Sequence, residues 1–136
     1  MRAKLAAYLE SAYETYARPE LISSDPIQVP YRYEGRADRE VAAFIAAGLS
    51  FGSVPSILKA ADYALAPLGS APAQRLMALS ARERHEAARG FNHRWIFADD
   101  LEALFQMLGE ALKEHGVCQL RTVGGVGPVL HILSEE

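Results

Sequence analysis

The chain has 136 residues, half of them apolar, which suffices for one compact domain with a core and is too short to favour two. Its formal charge of -3 excludes a global attraction toward phosphate backbones or anionic membranes, so any nucleic-acid site must be local. The single cysteine, Cys118, cannot form an internal disulfide. Because no secretory pattern follows the basic start, we expect a cytoplasmic protein.

The first predicted helix carries one apolar stripe at three- and four-residue steps and ends before Pro19. The stripe consists of Leu5, Tyr8, Leu9, Ala12, Tyr13 and Tyr16. A partner from elsewhere in the fold must cover it. From Pro19 to Ala37, three prolines and several turn-forming residues predict a long, ordered, extended loop.

No residue between Val41 and Leu58 is charged. Glycines, serines and Pro55 interrupt this run, which therefore does not span a membrane. With Asp38 as its N-cap, we predict a helix from about Asp38 to Leu49, apolar all round and hence central and buried. A turn at Phe51 to Ser53 and a second helix beginning near Pro55 follow.

Three further helical signals complete the chain. A short helix spans Leu76 to Leu79, and the capping box Ser80 to Glu83 begins a helix that Gly90 ends. The last helix begins at Asp99 and Asp100, ends at Gly116 and carries an amphipathic face of Leu101, Leu104, Phe105, Leu108 and Leu112. The only strand signal, Val117 to Val123, has nothing to pair with, so we predict a single all-α bundle or barrel domain over residues 1–136.

Near the C-terminus, Gly125, Val126 and Gly127 separate a short apolar segment from what could be a helix opened by Pro128. Glycines there let the backbone approach a phosphate, and the amides at a helix start donate to anions. We therefore predict a hairpin between two helices over about residues 117–134. The alternative is a flexible tail, and it is favoured because only four glycine or proline positions indicate the hairpin.

The histidines and the cysteine give no metal or cofactor pattern. His85, His93, His115 and His131 form no HxxxH pair, and Cys118 lacks a second ligand pair at zinc-site spacing. A buried, unreactive thiol is the ordinary interpretation of Cys118.

A small anionic ligand is a further hypothesis. Glu40 either complements the helix dipole or holds an arginine such as Arg32 or Arg36. In an enzyme that uses the long loop and the helix start, Arg32, Glu40, His93 and Arg94 would converge on the ligand.

The middle of the chain is locally basic. Arg75, Arg82, Arg84, Arg89 and Arg94 outnumber the acids around them. The segment "GFNHRW" at Gly90 to Trp95 joins aromatic and cationic groups that could stack on bases or grip phosphate. The commoner meaning is a solvated arginine face beside a tryptophan that anchors the core.

Three blocks carry a family resemblance: "DPIQVPYRY" at Asp25 to Tyr33, "DREVAAFIAAGLSFG" at Asp38 to Gly52, and "FNHRWIFADDLEALF" at Phe91 to Phe105. Together they resemble a family of uncharacterised conserved bacterial proteins. Members of that family are longer, with a second half rich in arginine, lysine and tryptophan. The resemblance implies that this chain corresponds to the N-terminal half alone.

More remotely, the order of helices resembles helix-hairpin-helix DNA glycosylases. Their Leu-x-x-Leu-Pro-Gly-Val-Gly hairpin would be matched by Leu120, Val123, Gly125, Val126, Gly127 and Pro128, with Gly124 in place of proline. Val129 occupies the position of the nucleophilic lysine of lyase-competent members. Their catalytic aspartate lies beyond the hairpin, where this chain has ended. The resemblance therefore implies a helical half without a complete catalytic site.

Two functional hypotheses result. The first is weak binding of the DNA backbone by Gly125, Val126 and Gly127 together with Arg82, Arg89 and Arg94. The second is an interaction domain that forms a homo-oligomer or binds a separate partner in place of the second half, because apolar helix faces would otherwise stay uncovered.

Overall fold

A computed structural model describes residues 2–116. Its α-helices are α1 (Arg2–Tyr16), α2 (Arg36–Gly48), α3 (Val54–Leu65), α4 (Pro72–Ala78), α5 (Ala81–Ala88) and α6 (Ala98–His115). Four short 3-10 helices lie at Pro19–Ser24, Pro26–Gln28, Pro30–Arg32 and Ala66–Leu68. Two-residue strands, β1 (Asn92–His93) and β2 (Ile96–Phe97), form an antiparallel hairpin. The all-α class is confirmed, whereas the strand signal at residues 117–123 and the glycine hairpin at about 117–134 lie outside the described residues.

The uncharged run forms the centre of the domain. Val41, Ala42 and Ile45 are completely buried, and Phe44 packs against the same core from a partly buried position. α2 contacts α3, α4 and the 3-10 helix Pro30–Arg32. Small alanine side chains let these neighbours approach the helix closely. Because the stretch is surrounded by protein, it carries no charged side chain.

The beginning of α2 differs from the prediction. The helix starts at Arg36 with Gly35 as its N-cap, so Asp38 lies inside the first turn and the N-cap assignment was wrong. Asp38 instead accepts a hydrogen bond from the amide of Ala73, in the first turn of α4, over 2.9 Å. It satisfies an amide at the start of a helix, as an N-cap does, but on a neighbouring helix.

The segment predicted as an extended loop is a chain of 3-10 turns. Pro19, Pro26 and Pro30 each open one of them, because the proline ring fixes φ near the helical value and the missing N–H needs no partner at a first position. Asp25 caps the second turn by accepting from the Ile27 amide over 2.8 Å. Val29, completely buried, fixes this segment to the core.

The second half of the described chain packs α6 against α4 and α5. The capping box at the start of α5 is confirmed: Ser80 accepts from the Glu83 amide, and Glu83 accepts from the Ser80 amide over 2.9 Å. Gly90 follows the helix with φ 81°. On α6, Leu101, Phe105, Leu108 and Leu112 are buried as predicted, and Leu104 is partly buried.

Helix α1 does not join this core. Within residues 2–116, no residue of α1 is buried, so the predicted apolar stripe has no cover in this part of the chain. The same residues contain no helix with the length and apolarity needed to cross a membrane.

Candidate functional site

The hairpin between α5 and α6 carries two of the predicted site residues, His93 and Arg94. His93 pairs with Ile96 across it, and Arg94, at the turn, has φ 59° in the left-handed region. A non-glycine residue in that region needs support from its surroundings. Sequence reasoning missed this hairpin because two-residue strands leave no alternation to detect, and the only signal was Ile96 and Phe97 shortly after Gly90.

His93 ties the hairpin to the end of α2. Its imidazole is buried, and Nε2 lies 2.9 Å from the backbone oxygen of Leu49. Because a carbonyl oxygen only accepts hydrogen bonds, Nε2 carries the proton that it donates. His93 therefore holds the hairpin against the end of α2.

The guanidinium of Arg94 lies over Gly52, in the turn between α2 and α3. A Cβ atom added at Gly52 would lie only 2.9 Å from Arg94 Nε, and Gly52 itself has φ 105°. Glycine thus serves both the turn and the close approach of the arginine. Arg94 remains exposed to solvent. Its guanidinium is therefore held by the contact with Gly52 and is still accessible to a ligand.

An exposed aromatic pair lies beside Arg94. The rings of Phe51 and Trp95 are 4.8 Å apart between centroids and tilted by 58°. Trp95 is 63% exposed and Phe51 41% exposed. The expectation that the tryptophan anchors the core was wrong, since it packs on a neighbouring ring at the surface instead. Two aromatic faces are thus left in water beside the exposed guanidinium of Arg94.

A cleft of about 380 Å³ adjoins the hairpin, between it and α3. It is lined by Ser56, Lys59, Ala60, Tyr63, Gly90, Phe91, Asn92 and His93. Tyr63 donates its hydroxyl proton to the backbone oxygen of Arg89 over 2.6 Å, which fixes one wall. Lys59 is exposed and brings positive charge to the cleft. The lining thus offers an amine, a hydroxyl, an amide and an imidazole within one concave surface.

A larger cavity of about 500 Å³ lies between the 3-10 segment and α2. Alanines and prolines form most of its lining, with Asp25 and Ser50 as the polar members. It contains none of the predicted site residues. The hairpin cleft is therefore the better candidate for specific chemistry, because orientation of a ligand depends on several convergent polar groups.

The small-ligand candidates do not all meet in this cleft. His93 and Arg94 are neighbours on the hairpin. Arg32, in contrast, forms an ion pair with Asp62 on α3 and donates a hydrogen bond from Nη2 to Oε1 of Gln28 over 3.3 Å. Glu40 is buried on α2, where its Oε1 lies 3.4 Å from Nε of Arg36. Arg32 and Arg36 were the two arginines predicted to hold Glu40. The contact observed is with Arg36, one helical turn before Glu40.

The DNA-backbone candidates are spread along α5 and the hairpin. Arg82 is exposed in the first turn of α5. Arg89 follows the end of that helix and pairs with Glu86 over 3.3 Å. Arg94 lies on the hairpin, while Gly125, Val126 and Gly127 fall outside the described residues. Among residues 2–116, no three histidine, cysteine, aspartate or glutamate side chains are grouped as a metal site requires.

Residues 25–123 match a family described as "Protein of unknown function (DUF2400)". The chain belongs to this family. The DUF2400 match includes the hairpin and the cleft, and it begins after α1. No curated protein matches the chain. No solved structure matches it either, so the resemblance to helix-hairpin-helix glycosylases stays a prediction.

Proposed function

We propose that this DUF2400 domain binds the DNA backbone weakly at the hairpin face, which we define as Phe51, Arg94 and Trp95. One observation carries the proposal: an exposed tryptophan packed on a phenylalanine stands next to an exposed arginine held over Gly52. Proteins that bind nucleic acid without sequence preference combine the same two elements, cations for phosphates and aromatic rings for bases.

The charges of this face support phosphate contact. Within the described part of the chain, no ion pair includes Arg94, nor Lys59 on α3, nor Arg82 on α5, whereas Arg89 pairs with Glu86. These three side chains can approach phosphates without first leaving a carboxylate. Because the chain as a whole carries a charge of -3, the attraction is local and short-ranged, and we expect low affinity that falls steeply with salt.

The aromatic pair adds a preference for accessible bases. Stacking of one base on an aromatic side chain contributes about 1–3 kcal/mol and needs a base that is not already stacked in a duplex. We therefore expect single-stranded DNA to bind more tightly than duplex of equal length. Gly125, Val126 and Gly127, which the sequence predicts to form a hairpin, are proposed as an additional backbone contact, because amides at a helix start donate to anions.

Anisotropy of labelled oligonucleotides, titrated at low and moderate salt, tests the proposal. We expect Arg94→Gln to weaken binding several-fold and to reduce the salt slope by about one phosphate contact. Arg18→Gln, which removes the same charge from an exposed position outside this face, is the matched control and should bind like the wild type. Binding that is independent of salt, or no binding at low salt, would overturn the proposal.

Trp95 supplies a second readout, because it is the only tryptophan of the chain. Its fluorescence should be quenched when a base stacks on the ring, and a titration with single-stranded DNA should follow the anisotropy curve. Binding detected by anisotropy with no change in Trp95 emission would place the contact elsewhere.

A second proposal is a small anionic ligand in the hairpin cleft. Its support is the combination of Lys59, Asn92 and His93 around about 380 Å³, a volume suited to a small molecule. Thermal melting with inorganic phosphate, for wild type and Lys59→Gln, separates it from the first proposal. A shift abolished by Lys59→Gln but kept in Arg94→Gln would favour the cleft, and no shift at millimolar phosphate would remove it.

A further inference from the structure

The segment that follows α5 runs antiparallel to α3. At one end of this segment, the backbone oxygen of Arg89 accepts the hydroxyl proton of Tyr63, near the end of α3. At the other end, Arg94 lies over Gly52, before the start of α3. The hairpin cleft of about 380 Å³ lies between these two walls. One end of the cleft is therefore at Tyr63, and the other adjoins the hairpin face.

The two ends of the cleft differ. At the Tyr63 end, the hydrogen bond to Arg89 crosses from α3 to the opposite wall over 2.6 Å. The ring of Tyr63 also lies 5.6 Å from that of Phe91 between centroids, which joins the same walls. At the other end, His93 lines the cleft and is followed directly by the exposed Arg94. A strand that enters from the hairpin face thus reaches a closed end and cannot continue along the floor of the cleft.

The donors of the cleft suit a group with more than one negative charge. Within residues 2–116, the side chains of Ser56, Lys59 and Asn92 make no hydrogen bond or ion pair, and no acidic side chain is among the described residues that line the cleft. A hydroxyl, an ammonium and an amide all donate hydrogen bonds. An internal phosphodiester carries a single charge. A terminal phosphate carries about 1.5–2 charges at neutral pH and has three strong acceptor oxygens.

We infer that the cleft binds the terminal phosphate of a single strand whose adjoining nucleotides lie on the hairpin face. This end site rests on the proposed DNA contact of the hairpin face and makes the anion site of the cleft part of it. Lys59 and Asn92 donate to the terminal phosphate, while Arg94 contacts the next phosphate and Trp95 stacks on a base. Asn92 and Arg94 are two positions apart, at most about 7 Å along the chain, so one strand end contacts both.

Anisotropy of oligonucleotides that share one sequence and one internal label tests the end site. The first carries a 5′-phosphate, the second a 3′-phosphate, and the third has hydroxyls at both ends. We expect one of the phosphorylated strands to bind about tenfold more tightly than the hydroxyl strand, because it gains a charge-assisted contact with Lys59. A covalently closed circle of the same sequence has no end and should bind no more tightly than the hydroxyl strand.

Variants of the cleft should change the ratio of the affinities for the phosphorylated and the hydroxyl strand. Lys59→Gln removes the ammonium, and the ratio should fall toward one. Asn92→Asp, at an exposed position, sets a carboxylate against the phosphate and should reverse the preference. Lys113→Gln removes the same charge as Lys59→Gln from an exposed position on α6, and as the matched control it should keep the ratio. Arg94→Gln should weaken all strands and keep the ratio.

Failure of the end site and failure of the DNA contact give different results. Strands that bind equally with and without a terminal phosphate, and are all weakened by Arg94→Gln, keep the contact of the hairpin face and overturn the end site. A melting shift by inorganic phosphate without any end preference assigns the cleft to a free anion and also overturns it. An end preference that survives both Lys59→Gln and Asn92→Asp puts the terminal phosphate outside the cleft. If no strand binds at low salt, the proposed function fails and the end site with it.

Discussion

Asp38 of α2 accepts a hydrogen bond from the backbone amide of Ala73 across 2.9 Å, and so one helix caps the beginning of another. The two residues are 35 positions apart in the sequence. Ala71, the residue before α4, has no side chain that could cap the helix itself. The carboxylate of Asp38 therefore replaces a local cap and at the same time fixes α4 against the central helix.

Removal of this contact should destabilise the domain. We expect Asp38→Ala to lower the free energy of unfolding by about 1–2 kcal/mol, since a partly buried amide loses its acceptor and the start of α4 loses its negative charge. Asp38→Asn retains an acceptor oxygen and should lose less. Urea unfolding of both variants, with Glu34→Ala as an exposed control of equal charge change, measures the difference. Equal stability of Asp38→Ala and wild type would contradict a capping role.

Two helical glycines should respond oppositely to alanine. At Gly109 of α6, an added Cβ would lie 2.7 Å from the backbone oxygen of Leu76, whereas at Gly48 of α2 it would meet nothing within 4 Å. Gly109→Ala forces α6 away from α4, and we expect a net loss of about 1–2 kcal/mol despite the better helix propensity of alanine. Gly48→Ala should gain up to about 1 kcal/mol. Thermal melting of the two variants tests the prediction: the melting temperature should fall in Gly109→Ala and rise in Gly48→Ala.

The contribution of the α5 capping box to stability should depend on pH in acid, because the carboxyl group of Glu83 titrates there. The pKa of Glu83 is lowered from 4.5 to about 2, first by the hydrogen bond from the Ser80 amide, then by the Ser80 hydroxyl and by Arg75. A lowered folded pKa means that the stabilisation is present above pH 4.5 and is lost as the pH falls toward 2. Glu83→Gln, which keeps an acceptor for the Ser80 amide, should therefore differ from wild type at neutral pH and converge with it in acid.

Unfolding by urea at a series of pH values shows whether this convergence occurs. Glu34→Gln, at an exposed position, supplies the background for removal of a surface carboxylate. A stability difference between wild type and Glu83→Gln that stayed constant down to pH 2 would mean that Glu83 has the same pKa in the folded and the unfolded protein, which would contradict the prediction.

The link between α5 and α6 should respond to pH in the opposite direction. Nδ1 of His85 lies 2.9 Å from Oε2 of Glu102, and this hydrogen bond, followed by the charge of Glu102, raises the pKa of His85 above 6.5. A raised folded pKa gives stabilisation that is complete below pH 6.5 and is lost as the pH rises through the folded value. NMR titration of the imidazole signals, assigned with His85→Gln, measures the pKa. Glu102→Gln should lower it, and a pKa at or below 6.5 in the wild type would refute the contact.

Local chemistry made several elements predictable. The capping box at Ser80 and Glu83, the stop at Gly90 and the apolar face of α6 are each contained in a few neighbouring residues, and all three are present in the structure. The burial of α2 was predictable for the same reason, because the part of the helix from Val41 onward carries no charge and is followed by glycine and proline, so protein is its only suitable environment.

Contacts between distant residues were not predictable from these patterns. An aspartate before a helical run is a plausible cap, and only the position of α4 shows that Asp38 caps Ala73 instead. The exposure of Trp95 likewise depends on Phe51, 44 residues earlier, and on the left-handed turn at Arg94, which no spacing rule indicates. The segment Gly90 to Trp95 was singled out from its composition, but its contacts with the α2–α3 turn at Phe51 and Gly52 were missed.

The succession of α4, α5 and α6 has a consequence for the order of assembly. α6 packs against both α4 and α5, and its contact with α5 through His85 and Glu102 closes the shorter loop, which costs the least chain entropy. The contact of Gly109 with Leu76 and the hydrogen bond between Asp38 and Ala73 join residues at nearly equal distances along the chain, so α4 gains its two partners at similar entropic cost. We expect α5 and α6 to associate first during refolding, and α4 to dock on α2 and α6 together.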